Sequence, residues 1–118
     1  MQYQSDYVLR LIEQMGALIR MAMAKERSGS DEETYELAEQ ALGLALDIDP
    51  AVAARLSPRS LASVLELCNL DDRVIELVAE ALEIEADALQ INGGVLEGEL
   101  RREQAKAARD LLDPRRAN

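Results

Sequence analysis

The 118-residue chain has no histidine, tryptophan or phenylalanine, a single cysteine and only three prolines. Without histidine it lacks the side chain that most often moves protons near neutral pH and one of the two usual zinc ligands. One thiol cannot form an internal disulfide, which makes a reducing cytoplasm the expected compartment. Aromatic residues amount to three tyrosines, too few for a strand-rich core. Positive charge is also scarce, with 13 Lys plus Arg against 23 Asp plus Glu and a net charge of −10. Nucleic acid and anionic membranes attract proteins through cations, so neither is an expected partner. Apolar runs are short: Arg10, Glu13, Gln14 and Arg20 interrupt the first one, and neither a signal peptide nor a transmembrane span is expected.

What is abundant is Ala, Leu, Glu and Arg, all strong helix formers. At 48% hydrophobic residues, a chain of this length buries roughly two-thirds of its unfolded surface in one domain without staples. The spacing predicts a first helix from Ser5 or Asp6 to about Arg27, with Val8, Leu11, Ile12, Met15, Leu18, Ile19 and Ala22 as its apolar stripe. Ser28-Gly29-Ser30 stops it, and Ser30 with Glu33 has the spacing of a capping box for a second helix that Asp49-Pro50 closes. Pro50 opens a short turn through Ala54. A third helix follows the Ser57-Pro58 cap, with Leu61, Val64, Leu65 and Cys68 inward, and Cys68 reads as a small buried hydrophobe. The fourth runs from Asp71 to Ile91 and stops at Asn92-Gly93-Gly94; the fifth covers Val95 to Leu112. Short loops imply antiparallel hairpins. The fold expected is thus all-α, a compact five-helix domain over residues 1–114, with Arg115 to Asn118 as a frayed tail.

Ala38, Leu42, Ala45 and Pro50 carry the spacing of the second helix of a tetratricopeptide repeat, and the hairpin around Gly93-Gly94, ending in Leu111-Leu112-Asp113-Pro114, has that repeat's size and turn. Ala22, Lys25, Glu26 and Gly29 stand where the repeat's first helix has a large apolar residue, Leu, a small residue and an aromatic, so the pattern is repeat-like. The opening Asp6-Tyr7-Val8-Leu9-Arg10-Leu11-Ile12-Glu13-Gln14-Met15-Gly16 resembles the start of a family of small bacterial all-helical proteins of unknown function. That resemblance implies a helical fold with a tetratricopeptide-like C-terminal hairpin and assigns no activity.

Carboxylates are the only abundant reactive groups. A di-metal bundle site needs Glu-x-x-His motifs, and Asp47 and Asp49 lead into Pro50 and alanines rather than a calcium loop. Gly93-Gly94 has no following Lys-Ser or Lys-Thr and reads as a turn. No catalytic, cofactor or metal residues are therefore expected, and the chain reads as non-enzymatic. Glu85 stands apart, because an advance of about 100° per residue places it inside the apolar stripe of the fourth helix. A carboxylate there needs a partner: Arg101 or Arg102 of the fifth helix, a local change of buried face, or a ligand in an interhelical groove. The basic residues Arg101, Arg102, Lys106 and Arg109 face an acidic partner or the protein's own acidic body. Tyr3, Tyr7 and Met21 gather on one flank of the first helix, with Leu9 beyond the opposite margin. That flank is a candidate surface for a second copy or another protein, unless the turn at Ala51 to Ala54 or the C-terminal tail covers it. The function expected is a protein-interaction or scaffold module. The alternative is a small-molecule binder with its site between the first helix and the C-terminal hairpin.

Overall fold

A computed structural model describes the backbone of residues 2–112 and the side chains of residues 6–112. Among these residues there is no strand, and six helices follow one another: α1 Gln2–Arg27, α2 Asp31–Ala45, α3 Pro50–Ala53, α4 Pro58–Leu67, α5 Asp72–Ile91 and α6 Val95–Asp110. The all-α expectation holds, with one helix more than the five expected, because the Pro50 turn closes a helix of its own. The tail expected at Arg115 to Asn118 lies outside the described residues.

Local chemistry explains most of the boundaries. α1 ends where Gly29 takes a positive φ of 83° and the Ser30 amide reaches back to the Lys25 carbonyl at 2.9 Å. Gly93, at φ 86°, ends α5 in the same way, its amide and that of Gly94 donating to the Gln90 and Leu89 carbonyls at 3.1 and 2.8 Å. The side chains of Asp49, Ser57 and Asp71 each accept a backbone amide at the start of α3, α4 and α5, and prolines occupy the first turns of α3 and α4.

Three expectations are corrected. Ser30 precedes α2 but makes no side-chain cap bond, and Glu33 turns away to pair with Lys25 at 2.7 Å, so the capping box does not form. α2 stops at Ala45, short of Asp49-Pro50, because Leu46 adopts an extended conformation that buries its side chain in the core. Cys68 is half-buried at the C-cap of α4 instead of facing the core, since Asn69 takes a left-handed φ of 52° and ends the helix there.

α5 is the central element. It packs against α1, α2 and α6, while α4 packs on α6. Ten of its residues are buried, more than one face of a helix supplies. α6 approaches it closely at Gly98, where an added Cβ would come within 2.5 Å of Gln90 Cγ and 3.1 Å of the Ala86 carbonyl oxygen. This approach turns Arg101 and Gln104, one turn and two turns further along α6, toward the interior.

Candidate functional site

Glu85 is 2% exposed, and Arg101 is also buried. The guanidinium Nε donates to Glu85 Oε1 at 3.0 Å, Nη1 to the Ala54 carbonyl at 2.8 Å, and Nη2 to the Tyr35 hydroxyl at 3.3 Å. α5, α6, α2 and the chain after α3 thus meet at one cation. Of the two partners open in the sequence, Arg101 holds Glu85, while Arg102 reaches Asp87 and Gln90 at 2.6 and 2.7 Å. Arg109 pairs with Glu83. The basic residues Arg101, Arg102 and Arg109 therefore compensate the acidic face of α5, the internal option among the two foreseen.

Burial pushes the Glu85 carboxyl up to about 7, against the pull of Arg101 and with the help of the Glu39 charge. Burial likewise raises the Tyr35 phenol above its ordinary value, against the hydrogen bond from Arg101, which keeps it neutral at physiological pH. Gln104 completes the constellation, since its amide nitrogen donates to the carbonyls of Leu56, Ala53 and Ala54 at 2.7, 3.2 and 3.3 Å. Its oxygen is buried without a partner. Gln104 and Arg101 together tie the segment after α3 to α6. The sequence carries a signal for Gln104 in its spacing: Gly98, Arg101, Gln104, Ala105 and Ala108 recur at helical intervals and form the buried face of α6.

Beside Arg101 opens a cavity of about 400 Å³ lined by Tyr35, Glu39, Arg55, Glu97, Leu100 and Arg101, with Ala51 and Ala54 on its wall. A second depression of about 470 Å³ shares Tyr35 and Glu39 and extends past Asp31, Glu32, Glu36 and Leu89. Glu85 lies behind Arg101, and neither depression includes it among its lining residues. α2, the α3 to α4 segment and α6 build this cavity beside the ion pair, and no residue of α1 lines it. Arg55 and Glu97, which line it, carried no periodic signal because they belong to elements brought together only by the fold.

On α1, Tyr7 is 62% and Met21 52% exposed, and Leu9 and Met23 are exposed on the opposite margin. The side chain of Tyr3, the third residue expected on this flank, lies outside the described residues. The turn at Ala51 to Ala54 does not cover Tyr7 and Met21, for it is held on α6 by Arg101 and Gln104. Among the described residues no group of three or more His, Cys, Asp or Glu could hold a metal ion, and no helix is long and apolar enough to cross a membrane. Comparisons with family models, curated proteins and solved structures gave no significant match.

Proposed function

We propose that the chain is a non-enzymatic protein-interaction module of the cytoplasm, related to the small bacterial tetratricopeptide-like proteins its opening segment resembles, and that it assembles with a second copy of itself through α1. The observation that carries this reading is the exposure of Tyr7 and Met21 on one flank. The two residues lie two heptads apart, about 21 Å along the helix, and are equidistant from Gln14. A two-fold axis through Gln14 therefore sets Tyr7 of one copy against Met21 of the other in an antiparallel pair. Each contact then occurs twice, as an isologous interface requires, and joins an aromatic ring to a thioether sulfur. Light scattering at micromolar concentration tests this reading. The native chain is expected at twice the monomer mass and a Tyr7→Ser, Met21→Ser variant at the monomer mass with helicity retained. A monomeric native protein refutes it.

A second reading, a small-molecule-binding domain, is favoured by the cavity beside Arg101, whose volume falls in the range of small-ligand pockets. Thermal shift against a metabolite library checks this reading as a class, because a ligand that binds only the native state raises the melting temperature.

A further inference from the structure

We propose that the cavity beside Arg101 binds a free α-amino acid with an aliphatic side chain, its carboxylate on Arg101 and Arg55 and its ammonium on Glu39 and Glu97. The proposal rests on the small-molecule reading and specifies its ligand class.

Charge balance is the first argument. Two arginines and two glutamates line the same space, and burial holds Glu85, the further carboxyl behind Arg101, toward its neutral form, so a plain anion that meets the arginines leaves two carboxylates facing it unmatched. A cation meets the converse problem. A zwitterion satisfies both pairs at once, and groups that penalise the wrong charge confer specificity as much as those that attract the right one.

The second argument is the state of Arg101. A guanidinium carries five N–H groups; Glu85, Ala54 and Tyr35 engage three of them, and the cation still contributes to the cavity lining. Its plane is fixed by three elements of the fold, which preorganises the donors for a carboxylate and reduces the ordering cost of binding. Leu100, Ala51 and Ala54 supply the apolar wall against which an aliphatic side chain packs.

The test is two-dimensional NMR of the isotope-labelled full chain titrated with L-leucine, L-isoleucine, L-valine and L-methionine at up to millimolar concentration. Saturable shifts confined to Tyr35, Arg55, Glu97, Leu100 and their neighbours are expected for at least one of the four. N-acetyl-leucine, which lacks the cation, and leucinamide, which lacks the anion, should bind at least about tenfold more weakly, the loss expected for one charge-assisted contact. Arg55 and Glu97 are exposed, so Arg55→Ala and Glu97→Gln should each weaken binding by about tenfold while leaving the melting temperature unchanged. Equal binding of N-acetyl-leucine overturns the zwitterion assignment. So does the absence of shifts with all four amino acids. In either case a different library compound that shifts the same cavity signals leaves the small-molecule reading standing, whereas a library without such a compound ends both.

Discussion

Replacing Glu85 with glutamine offers a direct measure of the buried ion pair. The substitution keeps the size of the side chain and an oxygen acceptor for Arg101 Nε but removes the titration. In the native protein the carboxyl titrates at about 7, against an ordinary 4.5. Below the ordinary value both folded and unfolded chains hold the proton, and the contribution of Glu85 to stability is fully present. As pH rises from there the unfolded chain releases its proton first, so stability falls, and the contribution is lost once pH passes the folded value. Over the whole range the change amounts to about 3 kcal/mol. The chain is close to zero net charge near its pI of about 4.4, where association is favoured. The practical window therefore begins at about pH 5.5, and roughly 2 kcal/mol of the change falls between there and about pH 8.

The absence of tryptophan makes far-ultraviolet circular dichroism the probe, with urea unfolding of wild type and Glu85→Gln at each pH. The difference between the two is the informative quantity, because contributions from other carboxyls cancel in it. Asp71, which Arg73 holds below the usual carboxylate range, acts with the opposite sign, but only at pH below this window, where its contribution is already complete in both proteins. Wild type should lose about 2 kcal/mol relative to the variant across the window. A difference that stays flat refutes the reasoning, since it means that Arg101 keeps Glu85 ionised throughout.

Three further outcomes check the packing. Leu82→Ala, at a core position of α5, should cost about 2 to 5 kcal/mol in urea unfolding, and a loss below about 1 kcal/mol would place that face outside the core. Gly98→Ala should destabilise more than Gly93→Ala: the first Cβ collides with Gln90 and the Ala86 carbonyl, while the second meets nothing within 4 Å and costs only about 1 to 2 kcal/mol of backbone strain. An equal loss at both sites would contradict the close approach of α6 to α5. Cys68, half-buried at the end of α4, should react with a small thiol reagent in the native protein, and complete protection until denaturant is added would return it to the core.

The helix starts and stops legible in the sequence are those whose determinants are local. Ser57-Pro58, Asp71 and Gly93 specify their own boundaries because cap and turn lie within a few residues of each other. The boundaries that depart from the sequence pattern are set by tertiary packing. Leu46 leaves α2 to enter the core, a gain that no periodicity in α2 announces. At the end of α4, Asn69 adopts a conformation that asparagine tolerates but does not require, and the buried stripe stops at Leu65, three residues before Cys68.

The same distinction separates what could be read of the site from what could not. Glu85 was visible because its position on α5 follows from counting residues around one helix. Its partner was not, because Arg101 and Arg102 are neighbours about 100° apart, and the crossing of two helices decides which one faces inward. Gly98 sets that crossing, for the side chain it lacks is what lets α6 lie against Gln90 and Ala86. Once α6 is seated, Arg101 and Gln104 share its inner face and reach carbonyls about fifty residues earlier in the chain, and those bonds hold the segment after α3 in place as a wall of the cavity. The chain of causes runs from a missing Cβ to a helix crossing, to a buried cation, to a wall. Only its first member is written at a single position, which is why a substitution at Gly98 should disturb the cavity even though Gly98 does not line it.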